Sequence, residues 1–156
     1  MDIKKVFDRI NEKPSQLVNI NDLRIGNYVE YNGIICVIYS IISPEPRKDP
    51  KFDNKCIIDL FDGGGLITTT LDDIKSVLIS NDKEKSILPK LGFKYVESDA
   101  PGIGEYGWWE NEHFSLTRTF GEYIHGIEGT TIPPFDSLHK LQNIHYILIG
   151  KELNFI

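Results

Sequence analysis

The sequence predicts an α+β protein, and three patterns carry that expectation. Asn32-Gly33 stands between two β-rich runs, a pair that suits a two-residue type I′ turn because both residues tolerate positive φ. Five short apolar runs separated by turn residues fill 22–80, the spacing of a small, strongly bent antiparallel sheet or an SH3-like barrel. Near the C-terminus the period becomes helical, with Leu138, Leu141, Ile144, His145 and Leu148 on one stripe. The expected organisation is an N-terminal helix over 1–14, the SH3-like β part over 22–80, and an α+β part over 81–156 that forms one compact unit with the part before it. In that last part a second antiparallel sheet is expected to lie under the amphipathic C-terminal helix.

Each element has its own signal. Ile3, Val6, Phe7 and Ile10 recur at i, i+3, i+4 and i+7, the stripe of a short helix that Asp2 caps and Pro14 stops. In "DLRIGNYVEYNGIICVIYSII" the second hairpin arm, Ile34 to Ile42, is apolar on both faces and reads as a central strand. A loop with Pro44, Pro46 and Pro50 follows. "KCIIDLFD" and "LITTT" read as partner strands around Gly63-Gly64-Gly65, "LDDI" as a tight turn and "KSVLI" as a further strand. Residues 81–91 read as helix ending at Gly92, with Pro89 kinking it or confining it to a short piece. "FKYVES" is again a strand, "WWENEHFSLTRTF" a hairpin arm, and "EYIHGIEGTTI" a strand with a turn at Glu128-Gly129. Pro133-Pro134 ends that region, Asp136 or Ser137 caps the last helix, and Gly150 closes it.

Charge and composition exclude several functions. The net charge of −6 does not attract a polyanion, and between Tyr95 and His139 eight acids face one Arg, Arg118. Polymeric nucleic acid is therefore not an expected partner. The run Ile34 to Ile42 is far too short to cross a bilayer, and "MDIKKVFDRINEK" lacks the apolar core of a secretory signal, so no membrane role and a cytoplasmic location are expected. Cys36 and Cys56 each lie in an apolar run, as buried thiols do, and no C-x-x-C pair supports a zinc site.

"APGIGEYGWWENE" contains Gly102, Gly104 and Gly107 at G-x-G-x-x-G spacing. A dinucleotide fingerprint needs a strand before it and a helix N-terminus after it; here an aromatic, strand-like run follows, so the glycines read as turns. Gly63-Gly64-Gly65 lacks the Lys-Ser/Thr of a phosphate-binding loop. His139 and His145 are six apart on a helix and do not converge, and Glu122-x-x-His125 has no second copy, so neither a metal nor a cofactor is expected. No serine or cysteine sits in a nucleophile elbow, and no catalytic residue is assigned.

The concentrated chemistry is aromatic. Tyr106, Trp108, Trp109, Phe114, Phe120 and Tyr123 crowd a short segment with Arg118, His113 and His125. Adjacent tryptophans in a strand face opposite sides, so one reads as core and its neighbour as exposed. Rings stack a flat group while a guanidinium forks onto phosphate or carboxylate, so Tyr106, Trp108, Trp109, His113, Arg118, Tyr123 and His125 form the candidate ligand site.

"NDLRIGNYVEYNG" and "LHKLQNIHYILIGKEL" together resemble blocks of small uncharacterised proteins of Bacteroidetes phages and prophages. The matching residues are Asp22 to Asn27, Lys90 to Phe93, then His139, Leu141 to Asn143, Tyr146, Leu148 and Gly150 to Leu153, with Ile149 where the pattern has Thr. The resemblance implies a phage-encoded protein of the host cytoplasm and supplies no catalytic residues. It suits a non-enzymatic binding protein holding a small nucleotide-like ligand, such as a cyclic-nucleotide immune signal of the host sequestered against defence. The alternatives are a module that binds a host protein or forms a homo-oligomer, and a nucleotide hydrolase whose site only the fold assembles.

Overall fold

The computed structural model describes residues 18–97, 107–113, 115–119, 122–127, 130–131 and 135–156. The chain is α+β, with two five-stranded antiparallel sheets and a C-terminal helix. It divides into two compact units. The first takes Ser15–Leu78 together with Ser137–Leu153, and the second takes Ile79–Asp136 with Asn154–Ile156. The expected N-terminal helix, Gly102, Gly104, Tyr106 and the turn at Glu128-Gly129 lie outside the described residues.

In the first unit a short 3-10 turn, Ile20–Asp22, leads into β1 (Tyr28–Tyr31) and β2 (Ile34–Ile42). The hairpin between them turns at Asn32 and Gly33, both at positive φ (50° and 79°), as the Asn-Gly pair predicts. β3 (Ile57–Phe61) and β4 (Leu66–Thr70) continue the meander, a 3-10 turn covers Leu71–Asp73, and β5 (Lys75–Ser76) returns beside β1. The order is β4-β3-β2-β1-β5, and among the described residues the ladder stays open, so the sheet is the bent antiparallel one expected and not an SH3-like barrel.

The bend sits in β2. Its first half pairs with β1 and its second with β3, with a register shift between Ile38 and Ser40. Residues on the inner face of the sheet, Val29, Cys36, Ile38, Ile58 and Leu60, together with Ile74, make the buried core, covered by Val18, Leu23, Ile41 and Ile67 among others. Burying a side chain of this size contributes roughly 1.5–3 kcal/mol. β2 is central, as expected, but its outer face is not dry: Ile35, Tyr39 and Ile42 are exposed, as is Ile34 at the hairpin end of the inner face.

The C-terminal helix, Leu138–Ile149, belongs to the first unit and not to the second sheet that precedes it in the chain. Its buried side also differs from the apolar stripe. Leu138, His139, Leu141, Gln142 and His145 are buried, whereas Leu148 and Ile147 are exposed. The helix is turned to enclose the amide of Gln142, whose hydrogen bonds outrank the burial of one leucine. Ser137 occupies the N-cap position and Gly150, at φ 74°, the C-terminal one.

The second unit opens with a helix, Asn81–Ile87, that Pro89 confines: the chain passes through Leu88 into a 3-10 turn, Pro89–Leu91, and reverses at Gly92 (φ 83°). β6 (Lys94–Glu97), β7 (Gly107–Glu110), β8 (Ser115–Thr119), β9 (Glu122–Ile127) and β10 (Thr130–Thr131) follow as a simple meander. Among the described residues its buried apolar side chains are Ile79, Ile87, Leu88, Leu91, Phe93, Trp109, Leu116 and Phe135.

Candidate functional site

The third glycine of the G-x-G-x-x-G run is explained by packing. Gly107 opens β7 opposite Glu97, and a Cβ there would run into the Tyr95 ring and lie 2.6 Å from the Val96 carbonyl oxygen. Only a bare backbone lets Tyr95 lie across the strand, and its ring then meets Trp109 edge-on at 5.2 Å and 60°. The residue serves the sheet.

The aromatic segment splits over the two faces of β7. Trp109 is buried, and its register row runs Tyr95, Trp109, Leu116, His125 across four strands. Trp108 is half-buried on the opposite face, and its indole N–H donates to Glu110 Oε2 at 2.9 Å. His113 lies at the hairpin turn with Nε2 2.8 Å from Glu112 Oε1, and its backbone N–H donates to Asn111. Arg118 stands opposite Tyr123 in the β8–β9 register. The fold thus brings Trp109 and His125 into one row and Arg118 and Tyr123 into another, while Trp108 stands apart from Trp109. Tyr106 lies outside the described residues.

Two distant stretches of sequence, around Arg24 and around Gln142, meet in the first unit. Arg24 Nε donates to Asn143 Oδ1 at 2.7 Å, and its two terminal nitrogens form a fork on Glu152 at 2.6 and 2.8 Å. The guanidinium also stacks 4.5 Å from the centre of the Tyr146 ring. Gln142 accepts from the Tyr28 N–H at 2.8 Å and donates to the carbonyls of Gly26 and Leu153, each at 3.1 Å. Asn27 donates to Asn143, which donates to the Asp22 carbonyl. Gly26, at φ 91°, makes the turn that lets these groups converge. Asn27 and Gln142 are fully buried. This clasp satisfies backbone groups that the sheet leaves unpaired, which is a structural task.

A cavity of about 410 Å³ is floored by Ile20, Ile41, Cys56 and Leu71 and rimmed by Lys55 and Asp72, which pair at 3.3 Å. Burial pushes the Cys56 thiol up, and burial together with the Asp62 charge does the same for Cys36, so neither is an activated nucleophile. Two carboxyls are held low by donors. The N–H groups of Gly64 and Gly65 act on Asp62, and the hydroxyls of Thr69 and Thr70 act on Asp73. Among the described residues no group of three metal-ligating side chains converges.

The outer face of the first sheet is the least expected feature. Register pairs Tyr28 with Val37, Val37 with Phe61, and Phe61 with Leu66, so one apolar row crosses four strands on one face. Phe61 is 43% and Leu66 61% exposed, with Ile35 and Tyr39 exposed beside them. A hint of it lies in the sequence, because a run apolar on both faces leaves one of them to find cover. No family model, no curated protein and no solved structure matches this chain.

Proposed function

We propose that this chain is a non-catalytic binding protein that works through protein–protein contact, with the outer face of β1–β4 as its working surface. The observation that carries the reading is the apolar row Tyr28, Val37, Phe61, Leu66, half-buried at Tyr28 and Val37 and exposed at Phe61 and Leu66. An apolar row at the surface costs solubility unless something covers it, and a polar border such as Ser40, Asp59 and Thr68 beside it is the rim of an interaction site. The displaced titrations elsewhere have structural causes in turns and burial, which gives a catalytic reading little to stand on.

The test places a photo-crosslinking amino acid at Phe61 or Leu66, with exposed Lys48 as control, in cells that make the protein. A discrete adduct from 61 and 66 but not from 48 is expected. No adduct at either position refutes the reading.

A second reading keeps one supporting observation. Trp108 offers a half-exposed ring on β7, so a small nucleotide-like ligand of the kind a phage protein would sequester from its host could stack there. Glu110 beside that ring favours a neutral or cationic flat group over a phosphate. Thermal shift against a panel of cyclic nucleotides, with Trp108→Ala and Arg118→Ala, tests it: a rise of several degrees abolished by both substitutions supports the ligand site.

A further inference from the structure

Building on the reading of the outer face, we infer that the surface continues through the edge of β4, which no described strand pairs, and that its occupant is a second copy of this chain, added strand to strand about a two-fold axis at Ile67. Exposed sheet edges template pairing with other strands, and folded proteins blunt them with short strands, charges, prolines or bulges. Three of the four edges here are blunted. β5 and β10 are two residues long, and β5 carries Lys75. The chain beyond β5 is covered where Leu78 bridges Ser137 and the Leu138 N–H donates to the Val77 carbonyl. β6 begins with Lys94 and ends with Glu97. β4 is different: Leu66–Thr70 has five residues, no charge, no proline and an unbroken register with β3.

The register fixes which backbone groups are free. The Leu71 N–H donates to the Cys56 carbonyl, and the Asp62 N–H to the Gly65 carbonyl. Hydrogen-bonded and non-bonded pairs alternate along an antiparallel ladder, so Thr69 and Ile67 bond inward to Ile58 and Leu60. Leu66, Thr68 and Thr70 therefore turn their N–H and C=O groups outward. At Thr70, Asp73 already takes the backbone N–H, and the residue is buried. Leu66 and Thr68 are exposed and, among the described residues, their outward backbone groups meet no other strand.

That pattern is its own complement. An antiparallel second copy centred on Ile67 sets Leu66 opposite Thr68 of the copy and Thr68 opposite its Leu66, making four backbone hydrogen bonds. No charged side chain of β4 meets its twin, because LITTT has none. On the outer face each Leu66 then lies beside Thr68 of the copy, so the end of each apolar row is covered by the other copy's strand. A charged partner strand would find no counter-charge on β4, and the net charge of −6 works against self-association, so salt should tighten the dimer.

Sedimentation of the whole chain over a dilution series tests this. The wild type is expected to dimerise, more tightly as salt rises. Thr68→Pro removes an outward N–H without touching the β3 ladder. It should raise the dimer dissociation constant roughly tenfold or more, since two hydrogen bonds are lost per dimer. Thr68→Val, which removes only the hydroxyl bonded to Asp59, should leave the constant within a few-fold of wild type. Leu66→Lys, at an exposed position, should also give monomer and covers the case in which the proline variant does not fold. A monomeric wild type, or a dimer that persists in both Thr68→Pro and Leu66→Lys, overturns the inference. Crosslinking separates the two proposals. An adduct at Leu66 with the mass of two chains supports the second copy. An adduct with a different protein sinks the second copy and leaves the outer-face reading standing, whereas absence of any adduct sinks that reading.

Discussion

The sheets β1–β5 and β6–β10 have the same number of strands and mostly the same hairpin order, yet they are held by different means. The second is a chain of neighbours, each strand beside the next in sequence, with Tyr95, Trp109 and Leu116 sharing one register row. The first depends on a clasp across great sequence distance: Arg24 reaches Glu152, 128 positions away, and Gln142 holds the entry to β1. The chain leaves the first unit after Leu78 and re-enters it at Ser137. Local hairpins can form as the chain is made, whereas the clasp forms only once both ends are present. A polar network is therefore informative about topology here, because it ties the entry to β1 to the C-terminal helix.

The sharpest way to break the comparison is Gln142→Leu. The side chain keeps its bulk, but the Tyr28 N–H and the carbonyls of Gly26 and Leu153 lose their partner. At roughly 1–3 kcal/mol for each buried group left unsatisfied, the first unit should lose about 3–5 kcal/mol. Both tryptophans lie in β7, so indole fluorescence reports the second unit, while hydrogen exchange of β1–β3 amides reports the first. The expected result is early loss of amide protection in β1–β3 at urea concentrations that leave the indole signal native. Equal shifts of both signals would show that the clasp does not belong to one unit.

The converse change is Gly107→Ala, which acts on the second sheet alone. The new methyl meets the Tyr95 ring and the Val96 carbonyl, and backbone cannot step aside as a flexible side chain can. Overpacking of this kind costs about 1–3 kcal/mol. Indole fluorescence should now change first, with β1–β3 protection intact.

Much of the fold was legible because its signals are local. Asn32-Gly33 marks a turn through φ alone, Pro89 and Gly92 mark where the helix after Ser80 must stop, and alternation places Trp108 and Trp109 on opposite faces. The position of the C-terminal helix was not legible. Its apolar stripe points at any dry surface, and the choice falls to Gln142 and Asn143, whose partners lie 116 and 121 positions away. The candidate surface was half legible. Ile34 to Ile42 shows apolar residues on both faces, but register with Phe61 and Leu66 is needed to see that they form one row.

Arg24→Lys asks how much of the clasp is geometry. The charge stays, and the fork on Glu152, the bond to Asn143 and the stacking on Tyr146 are weakened or lost. A loss of about 1–2 kcal/mol in the first unit, seen in the same exchange experiment, is expected. Restoration of wild-type protection by lysine would mean that charge alone does the holding.

The smallest effect concerns acid. Asp73 accepts from the hydroxyls of Thr69 and Thr70 and from the backbone of Thr70, which holds its carboxyl below the ordinary range. A lowered folded pKa means the unfolded chain binds the proton more readily, so Asp73 stabilises the first unit above the unfolded value of about 3.9. That contribution fades as pH falls through the lowered folded value. Asp73→Asn should therefore melt below wild type near neutral pH by a small margin, because the group is close to solvent. The gap should stay flat down to the ordinary carboxylate pKa and close below it. Asp62, held low by two backbone N–H groups at the β3–β4 turn, should behave in the same direction. A gap that widens on acidification would mean that the carboxylate is a burden to the turn instead of its anchor.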